Sequence, residues 1–352
     1  MTARALPPLD PARVEAALSR YRAPVVAAMR AALERPGIGH IALMRYHLGW
    51  EDAAGNAIAA AGGKMLRPAL CLICCEAAGG DARAAMPAAA AIELLHNFTL
   101  IHDDIEDGSE TRHGRATVWR VAGVAQAINT GDGLFVLARR ALLDMEGAGV
   151  PAERVLRAVR TLDEACVELC EGQYADIGFE TRARVTQAEY EAMIAGKTAA
   201  LLGASAAIGA IAGGADDVTA AALGACGRLL GLAFQVQDDV LGIWGEESVT
   251  GKPVADDIRS RKKSYPVVYA FDHLDATGRA ELERVYAQDW LNEDDVRAVL
   301  ALLASADARA VSTATAEGYA ASALEALRPL RLDPERRADI EALAAFFVHR
   351  SA

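Results

Sequence analysis

Long alanine-rich apolar stretches, broken only by short runs of glycine, aspartate or proline, decide what this chain can fold into. Alanine favours helix over strand, and the long β-branched alternations that strands need are absent. Hydrophobic residues make up 53 % and aromatics only 5 % of the 352 residues. The expected fold class is therefore all-α, a single large helical bundle of ten or more helices. Helix starts are legible at Asp10-Pro11 and Asp333-Pro334, where an N-cap precedes proline at the first helical position. Asn292 opens another helix with acids in its first turn. The last helix spaces Ile340, Leu343 and Phe347 for one face. Breaks fall at Gly79-Gly80-Asp81 and Gly213-Gly214. Residues 1–352 read as one domain, with 1–30 an N-terminal helical extension.

The stretch from Thr198 to Ala215 is the least charged, but its Ala, Gly and Ser suit a tightly packed core helix better than a membrane span. Residues 1–10 lack the apolar core of a signal peptide. Six cysteines (Cys71, Cys74, Cys75, Cys166, Cys170 and Cys226) include one CxxC spacing inside an apolar helical run. No second ligand pair accompanies it, so buried reduced thiols in a reducing cytoplasm are expected. The formal net charge of −12 argues against nucleic acid and anionic membrane surfaces as partners. An anionic substrate would then need a locally cationic or metal-loaded site.

Two acid-rich segments carry the chemistry. In residues 92–119 an apolar helix runs into Asp103, Asp104, Glu106 and Asp107, with Arg112, His113 and Arg115 following. Residues 103 and 107 share a helical face with His96, Thr99 and Leu100. Carboxylates aimed together call for a counter-charge, and magnesium, which takes oxygen ligands and shares substrate phosphates, supplies one. A solvated acidic helix end would look similar. The second segment, residues 231–266, repeats the layout: Gln235, Asp238, Asp239 and Gly242 on one face, then Lys252, Asp257, Lys262 and Lys263. Two such ends facing each other would form a metal-loading mouth above an apolar cavity, suited to a ligand with an anionic head and a greasy tail. Gly62-Gly63-Lys64-Met65 and Gly251-Lys252-Pro253 do not have P-loop spacing, which excludes that class of nucleotide site.

These motifs are similar to those of the trans-isoprenyl diphosphate synthases (polyprenyl synthetases), the group that includes farnesyl and geranylgeranyl diphosphate synthases. The resemblance runs from about Gly62 to the C-terminal helix. It implies the isoprenoid synthase fold, with its helices around a deep apolar cavity. The family's first aspartate-rich motif matches Asp103, Asp104 and Asp107. Its second matches Asp238 and Asp239, with Gly242 where a third acid is usual, and Asp256 or Asp257 is a candidate replacement. The Gly-Lys-x-x-Arg-Pro motif matches Gly63, Lys64, Arg67 and Pro68, and with His96 would hold the diphosphate of isopentenyl diphosphate. Lys197-Thr198 matches the family's Lys-Thr pair, and Gly172, Gln173 and Asp176 its Gly-Gln-x-x-Asp motif. Gln235, Lys252 and Lys262 match positions near the allylic diphosphate. Two adjacent arginines are usual after the first motif. Arg112 and His113 stand there, with Arg115 as a candidate to compensate, and Met65 occupies a position where arginine is frequent.

The resemblance implies magnesium held by Asp103, Asp107 and Asp238, with Asp104, Lys197 and Lys262 completing a catalytic set. An allylic diphosphate would ionise, with metal, Arg112, Lys197 and Lys262 stabilising the leaving pyrophosphate, and isopentenyl diphosphate, held by Lys64, Arg67 and His96 with His113 in the place of the family's second arginine, would attack the cation. The product would be C20 or C15. Phe98, about 7.5 Å below Asp103 along the axis, and Thr99 are candidates for setting chain length, although Phe98 could be ordinary core. A homodimer is expected from the resemblance alone. The competing readings are a class I terpene cyclase, a non-catalytic partner subunit of a prenyl synthase, and a diphosphate-lipid binding protein.

Overall fold

The computed structural model describes residues 6–34, 39–58, 63–246 and 253–349. Helices dominate, as the alanine-rich composition predicts, and more than ten are present. The anticipated N-caps form. Asp10 accepts the Arg13 amide hydrogen and Asp333 that of Arg336. Asn292 and Asp295 close a reciprocal capping box. Ile340, Leu343 and Phe347 are all buried.

Helix α1 (Pro11–Ala32) lies against α3 (Leu66–Ala77), α4 (Ala82–Glu106) and the C-terminal helix Pro334–His349, with α2 (His40–His47) beside it in sequence. A two-strand hairpin, β1 (Thr111–Arg112) and β2 (Arg115–Ala116), follows α4. Then come α5 (Val118–Ala122), α6 (Val124–Leu143), α7 (Ala152–Glu180), α8 (Gln187–Ile194), a π-helical turn at Ala195–Ala199, α9 (Ala200–Gly213) and α10 (Asp217–Trp244). Shorter helices, including Asp256–Arg259 and Tyr265–His273, lead to the helix Ala308–Ala326, which packs on α10.

The centre of the bundle is α9. It is apolar all round and almost wholly buried, touching α3, α4, α7 and α10. Its small residues permit close crossings. A methyl group on Gly209 would lie 2.8 Å from the Cys71 carbonyl carbon, and one on Gly213 would lie 2.5 Å from the Cys75 oxygen. The α3 thiols thereby end up inside the core, and burial pushes Cys75, like Cys226, up to about 12. All six cysteines are free thiols.

Three helical segments, Ala82–Glu106, Gln187–Gly213 and Asp217–Trp244, are long and apolar enough to cross a membrane by length and composition. Here they pack on one another within the bundle. The first and third also carry acid pairs near their C-terminal ends, which places both pairs at one end of the core.

Candidate active site

The first acidic turn closes α4. Asp103 stands 3.9 Å from the Lys197 ammonium. Burial pushes the Asp103 carboxyl up to about 6, against the pull of Lys197 and with the repulsion of Asp107. Asp107 is also raised by desolvation, opposed by Lys197 and Lys262. Lys262 follows the second acidic turn, so both turns share one mouth. Asp104, expected among the catalytic carboxylates, takes a different position. It is 1 % exposed, and its Oδ1 accepts from Arg112 Nε at 2.9 Å and Nη2 at 2.8 Å. Its place is to anchor the hairpin behind the mouth.

Lys197 and Thr198 sit in the π-helical turn between α8 and α9. One extra residue in the turn breaks the helical ladder, and such turns often occur at functional sites. Lys197 donates to Asp176 at 2.5 Å and so joins α7 to the Asp103 side of the mouth. Gly172 and Gly196 make that crossing possible, because a methyl on Gly172 would meet the Gly196 carbonyl carbon at 2.8 Å. Gln173 donates to Glu106 at 2.7 Å, tying α7 to α4. Thr198 donates to Gln235 Oε1 at 2.7 Å, and Gln235 passes its own amide hydrogen to Asp239 at 3.1 Å. Thr198 and Gln235 thus form a relay behind the second turn.

The second acidic turn repeats the division of labour. Asp238 is exposed at the mouth. Asp239 is 1 % exposed and, besides Gln235, is held from three directions. The Tyr190 hydroxyl donates to it, the Tyr265 amide donates at 2.8 Å, and Lys262 lies at 3.9 Å. Burial pushes Asp239 up to about 6 against the pull of Lys262. Desolvation opposes the Lys262 charge, but Asp239, Asp257, Asp176 and Asp238 together outweigh it and raise its pKa. Lys263 turns away to donate to the Glu180 carbonyl oxygen at 3.3 Å. Lys252 lies outside the described residues.

Below the mouth is a cavity of about 360 Å³ whose wall joins Phe98, Leu169 and Leu201 to Arg67, His96 and Lys197. Phe98 packs its ring on Phe135 and on His102, with centroids 5.4 Å and 4.9 Å apart. Thr99 is turned back onto its own helix, donating to the His96 carbonyl at 2.8 Å.

Arg67 and His96 stand 3.3 Å apart through Nη1 and Nε2, in the wall of the same cavity. Desolvation, with Arg67 and Arg112 nearby, keeps His96 neutral, so Nε2 can accept that hydrogen bond. Arg67 Nε is buried without a hydrogen-bond partner. Lys64 stands 5.1 Å over the Phe346 ring. A neighbouring cavity of about 570 Å³ is lined by Arg112, His113, Asn97 and Met65. His113 and Gly114 both have positive φ (51° and 72°), as a type I′ hairpin turn requires. Arg115, expected to make up for the missing second arginine, is engaged elsewhere. It donates to the Tyr46 oxygen at 2.7 Å and the Glu51 oxygen at 3.0 Å and stacks over the Tyr46 ring. The hairpin needs this guanidinium to dock on the chain around Tyr46 and Glu51.

Tyr190 and Tyr265 complete the arrangement without any sequence signal that singled them out, and Glu106, seen in sequence only as part of the acidic run, takes the Gln173 amide hydrogen. Among the described residues no three Asp, Glu, His or Cys side chains form a ready-made metal cage. The donor set nevertheless fits magnesium. Asp103, Asp107 and Asp238 offer hard oxygen ligands, and the destabilised Asp103 charge would be relieved by a cation. Magnesium completes its shell with water and substrate phosphate rather than protein alone.

Residues 50–303 match the polyprenyl synthetase family. The chain is 41 % identical over 337 residues to a geranylgeranyl diphosphate synthase of Mycobacterium tuberculosis, covering 96 % of this chain and 94 % of that one. It is 40 % identical over 313 residues to a (2E,6E)-farnesyl diphosphate synthase of the same species, covering 88 % and 86 %. The crystal structure of a polyprenyl synthetase from Streptomyces coelicolor A3(2) superposes with a TM-score of 0.89 at 41 % identity, over 95 % of this chain and 99 % of that one. With two acid-tipped helices meeting cations over an apolar cavity, and with matches of this extent, the chain belongs to the polyprenyl synthetase family and is a prenyltransferase.

Proposed function

We propose that this protein joins isopentenyl diphosphate to an allylic diphosphate and releases a C15 or C20 prenyl diphosphate. The supporting observation is the meeting of carboxylates from α4 and α10 with Lys197 and Lys262 at the mouth of one apolar cavity. Asp103, Asp107 and Asp238 would hold magnesium, which supplies charge neutralisation on the leaving diphosphate. Lys197 and Lys262 add fixed positive charge where negative charge grows as the allylic C–O bond breaks and its electron pair leaves with the diphosphate. Arg67, His96 and Arg112, with Lys64 and His113 at the rim, orient isopentenyl diphosphate so that its alkene forms the new C–C bond. A proton then leaves the adjacent carbon. The cavity walls keep water from the cation.

Phe98, braced by Phe135 and His102, acts as the floor that limits chain length. The α6–α7 face, with Val136 and Val167 exposed and Tyr174 82 % exposed, is the surface on which a second copy would pack. Six free thiols suit a reducing cytoplasm.

The test is to incubate the purified protein with magnesium, isopentenyl diphosphate and, separately, dimethylallyl, geranyl or farnesyl diphosphate, and to resolve products by mass. Magnesium-dependent products longer by five-carbon steps are expected. Pyrophosphate release without incorporation would instead favour a cyclase or a phosphohydrolase, and no turnover with any primer would favour a partner subunit or a binding protein.

A further inference from the structure

One side of the smaller cavity is closed where α4 and α6 interlock. On α4, Phe98 and His102 are four residues apart and share a face, and on α6 Gly131 and Phe135 do the same. Phe98 sets its ring on Phe135, while the His102 ring enters the space that Gly131 leaves. A methyl group on Gly131 would overlap Nε2 and Cδ2 of that imidazole and stand 3.4 Å from its Cε1. Other contacts keep the ring in this niche. Phe98 meets it edge-on with centroids 4.9 Å apart, and its Nε2 lies 3.4 Å from the Ile128 carbonyl oxygen and 3.7 Å from the Asp132 carboxylate.

Helix α6 has no room to back away from α4. Gly133 stands two residues on, close to the opposite side of the helix, and is pressed against α2. A methyl group there would lie 2.5 Å from Met44 Cε and 2.7 Å from His40 Nε2. Volume added at residue 131 must therefore be taken up by the His102 ring, because a packed interior does not yield by sliding a whole helix.

The place of that ring matters because of what lies on either side of Phe98. Phe98 and His102 both line the cavity of about 360 Å³ below the mouth. Phe135 lines a groove of about 630 Å³ on the outer side of α6 and α7. Cys170 and Tyr174 of α7 border both spaces. The Phe98–Phe135 pair is thus a partition between cavity and groove, and His102 braces Phe98 from the cavity side.

We infer that Gly131 is a specificity-determining position for product length, acting through His102. By leaving a niche for the imidazole it fixes where Phe98 stands, and so how long a prenyl tail the cavity accepts. This rests on the prenyl-chain reading of the cavity, and it goes further by placing the control on α6, outside both acidic segments.

The experiment has two readouts. Products formed from isopentenyl and geranyl diphosphates with magnesium are resolved by mass. Tail preference is measured without turnover, as the ratio of calorimetric affinities for farnesyl and geranylgeranyl thiolodiphosphates, which resist ionisation. Gly131→Ala drives the imidazole toward Phe98 and should shift both ratios at least about tenfold toward the shorter tail, the scale on which an apolar pocket discriminates bulk. His102→Ala withdraws the brace, lets Phe98 tip and should shift both toward the longer tail. In the His102→Ala background Gly131→Ala should add nothing, since its methyl then meets no ring. Unchanged ratios in either single variant overturn the inference, as does a Gly131→Ala shift that persists without His102. If Gly131→Ala does not fold, His102→Ala decides alone. A wild-type protein that makes no product counts against the proposed function, while the affinity ratios still test the tail-length assignment.

Discussion

The two acidic turns look alike in sequence, yet they are secured in different ways. Each sends its first aspartate to the mouth and buries its second. Asp104 is held by Arg112, only eight residues ahead, through one carboxylate oxygen, and its Oδ2 is buried without a partner. Asp239 is held by Tyr190, 49 residues back, by the Tyr265 amide, 26 residues on, and by Gln235, with Lys262 close by. The first turn is therefore a local device and the second a tertiary one. A doubled acid motif need not mean two doubled ligands. In each pair one carboxylate opens toward the mouth and the other is buried among partners of the fold.

The largest effect should come from the mouth-facing acids. Asp103→Ala removes the carboxylate beside Lys197 and should lower kcat by at least about 1,000-fold with little change in melting temperature. Asp238→Ala should fall in the same range, measured as product formed per unit time under saturating substrates. If one of the two retains activity within tenfold of wild type, the turns do not contribute equally to diphosphate activation.

The buried acids should reverse that pattern, acting on stability first. Asp239→Ala strands the Tyr190 hydroxyl, the Tyr265 amide and Lys262 together, and should cost about 3–5 kcal/mol. Asp104→Ala leaves only the partly exposed Arg112 without its partner, and should cost about 1–3 kcal/mol. Denaturant unfolding followed by circular dichroism separates the two. Equal losses would mean that the number of partners does not distinguish the turns.

This contrast also marks the limit of what the sequence made legible. Helical spacing placed Asp103 and Asp107 on one face, and the run of small apolar residues marked α9 as core, because both are properties of a single helix. Arg67, His96 and Lys197 stood out as polar groups in apolar or motif surroundings, and the structure brings all three to the wall of the smaller cavity. Periodicity could not tell which member of an Asp-Asp pair turns inward, since neighbours 100° apart differ only in what the rest of the fold offers them. Tyr190 gives no signal at all, as its partner lies in another helix. Arg115 looked available for the opposite reason: its acceptors are backbone carbonyls of Tyr46 and Glu51, which leave no trace in side-chain identity. Asp256 and Asp257 looked alike in sequence, and only in the fold do they part, Asp257 lying against Gly242 and Asp256 beside Arg259.

Acid should discriminate between the turns more gently. His47, in the cavity wall behind the first turn, is pushed down to about 3 by desolvation, aided by Arg112. An unfolded histidine titrates near 6.5. Between these values the unfolded chain binds the extra proton, so this contribution to stability is lost as pH falls through that window. Asp239 has the opposite sign. Its carboxyl is raised to about 6, so the folded state binds the extra proton and gains stability as pH falls from about 6 toward the ordinary carboxylate value near 4. Asp103, Asp104 and Asp107 gain likewise on the first turn, while His47 and the neutral His96 work against them. In metal-free protein taken from pH 7 to pH 5, amide exchange should rise at residues 100–107 relative to 235–242, by roughly tenfold. His47→Gln should shrink the difference, with His96 retaining the remainder. Parallel changes at both turns would show that the histidines do not tune the first.

The smallest effect concerns the basic residues that follow each turn. After the first, Arg112 is committed to Asp104 and Arg115 to backbone carbonyls, which leaves His113 at the hairpin tip facing the larger cavity. After the second, Lys262 keeps its charge at the mouth. The first turn thus has less positive charge to offer a diphosphate than its sequence suggests. His113→Arg would restore a guanidinium at a tip whose left-handed backbone already carries a side chain. The KM for isopentenyl diphosphate should then fall by about tenfold with kcat unchanged, because a charge-assisted contact to a bound diphosphate strengthens ground state and transition state alike. A fall in KM for the allylic substrate instead would place the hairpin tip on the other side of the mouth and break the assignment of the larger cavity. A rise in kcat would mean that the tip acts on the leaving group, a role now given to Lys197 and Lys262 alone.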